Sequence, residues 1–361
     1  MIIHKYLLQV MVLFSLLCCT LVPQQASRAQ TEDLQVRITQ VDTSDFPRVT
    51  VYVSITNANG EPVGASPNSI RLYENGQIMQ PDRISGSGEL GTITTMLVMD
   101  LSGSMERGGK LEAAKEAARA YIDQLRPGDQ VGLIGFNIET TVFQAITSDH
   151  EALVSAIDQL MADEDTAMYD ALLEAIDTLE SVPGRNAIIL LSDGYDNRST
   201  SDLEDVLSAI ESGALSISTI GLGDPTNEWT LYGLDEETLQ KLAENAGGLY
   251  GTASDSDSLA ALYESYGLAL QSEYSITYTS PSTLRDGINR MLTVTLVQEG
   301  NETTSSAKYN PGGVLPEVNV KSWALFGGTL TGLVLLGVIP ALAARIQTAR
   351  QKKRKPRIRL K

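Results

Sequence analysis

Between residues 34 and 90 apolar and polar positions alternate, as in LQVRITQV and RVTVYVSIT, and the turn signals NANG and ENG interrupt the alternation. A period of two puts every second side chain on one face, so this segment predicts antiparallel strands. At residue 94 the pattern changes. MLVMD, VGLIGF, AIILLS and LSISTIGLG are near-continuous apolar runs. Between them apolar residues recur at helical spacing: Leu111, Ala114, Ala118 and Ile122; Leu153, Ile157 and Leu160; Met168, Leu172, Ala175, Ile176 and Leu179; Leu239 and Leu242; Leu259, Leu262 and Tyr266. The polar NIET between VGLIGF and TVFQA predicts a hairpin at a sheet edge. Ser148 with Glu151, and Ser201 with Glu204, fit capping boxes at two helix starts.

Buried strands alternating with amphipathic helices predict an α/β unit over residues 92–272, a doubly wound, Rossmann-like and mainly parallel sheet covered on both faces. Ligands of such sheets sit at the carboxyl ends of the strands. From residue 273 alternation returns in YSITYTS and RMLTVTLV. Neither β segment alone has the strands to bury a face, so 30–91 and 273–312 are expected to form one discontinuous sandwich into which the α/β unit is inserted; two small domains are the alternative.

The ends of the chain read differently. Residues 1–29 carry Lys5, then an apolar run, then a polar stretch ending in Ser27 and Ala29, which predicts a secretory signal cut after Ala29, with an uncleaved anchor as the alternative. Residues 322–344, SWALFGGTLTGLVLLGVIPALAA, are 23 uncharged positions, enough to cross a bilayer as one C-terminal transmembrane helix. The tail 345–361 has nine Lys or Arg and no acid, which places it in the cytoplasm and the preceding domains outside a cell membrane crossed once. For this tail, lipid headgroups and a stop-transfer role explain the charge without nucleic acid.

Charge sharpens that division. Residues 30–320 hold all 45 Asp and Glu against 15 Lys and Arg, a surplus of 30 acidic groups that repels nucleic acid and attracts divalent cations. Both cysteines, Cys18 and Cys19, fall in the signal, and His150 is the one histidine beyond it. Disulfides, the usual zinc sites and Ser-His or Cys-His nucleophiles are thereby excluded from the expected mature chain. Any metal there must be held by oxygen.

One stretch offers that oxygen. MLVMDLSGSM ends an apolar strand in Asp100, Ser102 and Ser104, with Gly103 easing the loop. Thr166 in DEDTAMYDAL and Asp193 in LLSDGYDN are expected on the same rim, the second at the end of a strand. Three hydroxyls and two carboxylates suit Mg²⁺, with Ca²⁺ or Mn²⁺ as alternatives, and leave coordination positions open to a carboxylate from another molecule. DLSGSM alone also fits a helix cap.

The motif DxSxS, Thr166 and the LLSDG strand end resemble the von Willebrand factor type A domain and its metal-ion-dependent adhesion site, over about residues 92–272. The flanking β segments resemble those of bacterial membrane-anchored members. The resemblance implies that Ser102, Ser104 and Thr166 are hydroxyl ligands, that Asp100 and Asp193 act directly or through water, and that a partner protein's Asp or Glu completes the shell. It implies a membrane-anchored cell-surface binding module with no catalytic residues. The rival expectation is a subunit of a membrane or envelope complex using the same domain for assembly.

The family often has glycine just before the threonine, where this chain has Asp163, Glu164 and Asp165. These acids are read as solvated loop charges, against a shift toward Ca²⁺ or a loop closed on the metal. Asp170 and Asp196 are expected to brace loops. GLGD lacks the further glycine and lysine of a phosphate loop. Trp229 and Tyr232, in the polar insertion 224–233, either contact a partner or cover the sheet.

Overall fold

The computed structural model describes residues 34–313 apart from 59, 87–88, 164, 211–214, 224–233 and 299. The expected signal, transmembrane helix and basic tail, together with Glu164, Trp229 and Tyr232, lie outside the described residues. Among the described residues no helix is long and apolar enough to cross a membrane.

The central sheet runs in the order β11 (Tyr250–Ala253), β10 (Ser216–Leu222), β9 (Arg185–Ser192), β6 (Ile93–Asp100), β7 (Gln130–Phe136), β8 (Thr140–Thr147). Every pairing is parallel except that of β7 with β8, the hairpin expected at the edge. Every residue of β6, β9 and β10 is buried, which is why these strands read as unbroken apolar runs rather than alternation. Successive residues of β6 serve opposite faces. Leu97 and Met99 pack under α1 (Lys110–Asp123), α2 (His150–Asp158) and α6 (Ser256–Gln271), while Met96 and Val98 pack under α3 (Met168–Glu180), α4 (Leu203–Ile210) and α5 (Glu236–Asn245).

The caps correct the sequence reading by one residue in two helices. At α2 the cap is Asp149, whose carboxylate accepts from the amides of Glu151 and Ala152, rather than Ser148. Before α4, Asp202 and Asp205 bond each other's amides reciprocally, displacing Ser201 and Glu204 from that role. In both cases an aspartate beside the serine takes the orphan amides, and its charge also suits the helix N-terminus.

The β segments on either side of this unit share two sheets. One has the order β1 (Gln35–Asp42), β2 (Arg48–Thr56), β12 (Tyr274–Thr279), β5 (Arg83–Ser85). The other runs β14 (Asn301–Tyr309), β13 (Arg290–Gln298), β3 (Ile70–Glu74), β4 (Gln77–Met79). Strands from before and after the insertion are thus neighbours in each sheet, and Val51 and Ile276 of one share a core with Leu72, Val294 and Tyr309 of the other. The ENG signal is the β3–β4 hairpin turn, with Asn75 at φ 48° and Gly76 at φ 79°. β14 escaped the pattern because, as an edge strand of sequence NETTSSAKY, it buries little.

Arg185, at the amino end of β9, fastens the α/β unit to this sandwich. It pairs with buried Glu273, donates to the carbonyls of Gly91 and Leu270, and lies 5.4 Å from the centre of the Tyr52 ring. Gln40 of β1 adds bonds to the Gly184 carbonyl at 2.7 Å and from the Asn186 amide at 3.0 Å. Gly247 and Gly248 let the backbones close up, since a Cβ on Gly247 would stand 2.0 Å from the Ile38 carbonyl oxygen. All these contacts gather at the amino ends of the strands. The carboxyl ends face the other way.

Candidate metal centre

β6 and β9 are the neighbours at which the order of the parallel strands reverses direction, so the crevice beyond their carboxyl ends is the topological switch point. Their register pairs Met99 with Leu191, which brings Asp100 level with Ser192. The Ser192 hydroxyl donates to Asp100 Oδ2 at 2.7 Å, and the Ser102 amide donates to Asp100 Oδ1 at 2.8 Å. Asp100 therefore bends the loop that follows it. Met105, fully buried, anchors that loop, and its amide bonds the Ser102 carbonyl at 2.9 Å.

The hydroxyls of Ser102 and Ser104 lie 2.9 Å apart, and Ser104 donates to Asp193 Oδ1 at 2.6 Å. Asp193 Oδ2 accepts from Lys110 Nζ at 2.5 Å. Asp100, Ser102, Ser104 and Asp193 thus form one bonded cluster. Thr166 reaches the same rim through its backbone: its amide donates to Asn197 Oδ1 at 2.9 Å, and its carbonyl accepts from the amides of Asn197 and Arg198. Thr166 is itself buried.

Asp163 is pinned beside the first loop. The Asp163 amide donates to the Leu101 carbonyl at 2.7 Å, and Asp163 bridges Ser102 in parallel register. Asp163 and Asp165 are exposed. Asp165 has φ 55°, a left-handed conformation that aspartate tolerates and glycine adopts freely. Asp196 accepts from the Tyr169 amide and the Ser199 hydroxyl, and Asp170 from the amides of Thr200 and Ser201. Both brace loops, as expected.

Burial is the first cause that pushes the Asp100 carboxyl up to about 6; the nearby Asp193 charge adds to it, and bonds from Ser102 and Ser192 oppose it. A buried acid of this kind is held at a stability cost that a cation would relieve. Hydroxyls and two carboxylates make an all-oxygen donor set of the kind a hard divalent ion takes. An ammonium already resting on Asp193 shows that the rim attracts positive charge.

Lys110 and Ser192 are the members that sequence reasoning missed. Ser192 stands next to Asp193 but reads as the last residue of an apolar strand. Lys110 had a faint signal in GGK. A lysine in the first turn of a helix opposes the helix dipole and asks for another reason to be there.

Residues 95–195 match the family model of the von Willebrand factor type A domain, and all five sequence-predicted ligands fall inside that match. A UPF0353 protein of Nocardia farcinica is 28% identical over 207 residues, covering 47% of this chain and 61% of the relative. One from Mycobacterium tuberculosis is 30% identical over 194 residues, covering 47% of this chain and 58% of the relative. The chain thus spans about six-tenths of the length of these curated relatives. Among solved structures, a von Willebrand factor type A protein from Catenulispora acidiphila is 17% identical, with 79% of this chain and 75% of that one covered at a TM-score of 0.45. BatB from Bacteroides thetaiotaomicron is 21% identical, with 50% of this chain and all of that one covered at 0.42.

Proposed function

We propose that this chain is a protein-binding module that works through a divalent cation, Mg²⁺ in preference to Ca²⁺ or Mn²⁺, at the carboxyl rim of its central sheet. Ser102, Ser104 and Thr166 would supply hydroxyl oxygens, with Asp100 and Asp193 supplying charge directly or through water. The cation would remain electrophilic and take an Asp or Glu carboxylate from the partner. The module binds rather than catalyses, and residues 322–344 anchor it at the cell surface with the basic tail inside.

The bonded cluster of Asp100, Ser102, Ser104 and Asp193 at the strand switch point carries this reading. A helix cap accounts for one carboxylate and a neighbouring hydroxyl; it does not account for a second carboxylate 89 residues on, bonded to the same serine. The rim also offers exposed Ile138, Met161 and Tyr195, apolar surface suited to a protein partner.

Calorimetric titration of the purified full-length chain with Mg²⁺ and Mn²⁺ tests the site. Saturable binding that Ser102→Ala abolishes, in a variant that keeps its circular dichroism spectrum, is the expected result. Equal binding by wild type and variant would remove these residues from the metal.

A further inference from the structure

We propose that Lys110 sets the affinity of this site by competing with the divalent cation for Asp193. The inference rests on the cation reading above and goes beyond it, because it gives the site an internal competitor.

Asp193 has both oxygens engaged, Oδ1 by the Ser104 hydroxyl at 2.6 Å and Oδ2 by the Lys110 ammonium at 2.5 Å. Its side chain is fully buried, so the pair is shielded from water on the aspartate side. Ser104 is in turn bonded to Ser102 at 2.9 Å. A divalent ion drawn in by Ser102, Ser104 and Asp193 meets an ammonium on the same carboxylate. Two cations that close repel strongly where burial weakens screening. Binding therefore includes the cost of parting Lys110 from Asp193.

Three features show that Lys110 is equipped to leave. Its side chain is 30% exposed, so a flexible four-carbon stem has solvent to swing into. It follows Gly108 and Gly109, at φ 65° and 74°, with no atom within 4 Å of where a Cβ would sit on either. It also opens α1, where a positive charge opposes the helix dipole, so α1 does not itself favour the lysine. Asp193 is the partner that accounts for it.

The balance between the two cations then decides occupancy. An ion must deliver more at Asp193 than one ammonium does, which a divalent ion can do and a monovalent ion cannot. The lysine raises the concentration at which the site fills. It also hands a mobile positive charge to the rim once the ion is in, next to the place where the partner's carboxylate would arrive.

Two measurements on the full-length chain test this. In titrations with Mn²⁺, Lys110→Met should bind about tenfold more tightly than wild type, with Lys110→Arg close to wild type, because only methionine removes the competing charge. In wild type, acylation of Lys110 by an N-hydroxysuccinimide ester, read by peptide mass spectrometry, should increase on adding Mg²⁺, with exposed Lys241 as the unchanged control. Equal or weaker Mn²⁺ binding by Lys110→Met overturns the inference and leaves the cation site standing. Lys110 acylation unchanged by saturating Mg²⁺ does the same, and it needs no variant to fold. Absence of binding by both wild type and Lys110→Met instead overturns the cation reading itself, and this inference with it.

Discussion

Replacing Asp100 by asparagine should stabilise the protein at neutral pH while removing its response to metal. Burial, with Asp193 as a lesser cause, raises the Asp100 carboxyl from 3.8 to about 6. An acid with a folded pKa above its unfolded value binds its proton more tightly when folded. Its contribution to stability is present in full below 3.8, declines as pH rises toward about 6, and is lost above that. The difference corresponds to a deficit of about 3 kcal/mol at pH 7. Asparagine abolishes the charge and keeps a carbonyl for the Ser102 amide. Its NH₂ can donate to the Ser192 hydroxyl but faces the Asp193 amide, a mismatch of about 1 kcal/mol. The net gain is about 1–2 kcal/mol, a Tm rise of roughly 2–8 °C for a unit of this size.

The assay is thermal unfolding in a chelating buffer at about pH 7 and again at about pH 5, where the wild-type deficit roughly halves as the carboxyl regains its proton and the net gain should fall below about 1 kcal/mol. Added Mg²⁺ should then raise the Tm of wild type and leave Asp100→Asn unmoved. A variant less stable than wild type at pH 7, or a difference that does not change with pH, would refute the claim that burial of this charge is a net cost.

Two further predictions concern the scaffold. Glu273→Gln leaves the Arg185 guanidinium buried without its counter-charge and should cost about 3–5 kcal/mol in urea unfolding; a loss under about 1 kcal/mol would mean that the carbonyls of Gly91 and Leu270 suffice for Arg185. Asp149→Ala should cost about 1 kcal/mol and Ser148→Ala less than about 0.5 kcal/mol, since the aspartate alone bonds the first amides of α2; the reverse order would restore the serine cap.

What could be read in the sequence follows from where the information lies. β6 and β9 are buried on both faces, so their composition alone announces a covered parallel sheet. Asp100 and Asp193 were legible because a carboxylate that closes such a strand has no packing role there. Thr166 was different: its place on the rim was expected from the helix it opens, but the bond to Asn197 that holds it there spans 31 residues and no local pattern records it. The partner of Lys110 was out of reach for the same reason, 83 residues away. The helix starts were misread by one residue because serine and aspartate compete for the same amides, and only the fold shows which side chain faces them. β14 was missed because an edge strand with little to bury does not alternate in hydrophobicity.

The same geometry explains why the costly residues stand where they do. Arg185 holds the carbonyls of Gly91 and Leu270, the points at which the chain passes into and out of the α/β unit, so both connections leave from the amino ends of the strands. The carboxyl rim is left free of connections to the sandwich and turned away from it. A partner docked there would load β6 and β9, the two central strands, each with neighbours on both sides, and β9 is tied at its far end to Glu273 through Arg185. Burying Asp100 under that rim works against stability, and so does placing a lysine at the head of α1. Neither residue is needed to close a helix or fill a core. Both are accounted for if the rim exists to hold and exchange a cation, with the locked end of the sheet supplying the stability that the open end gives up.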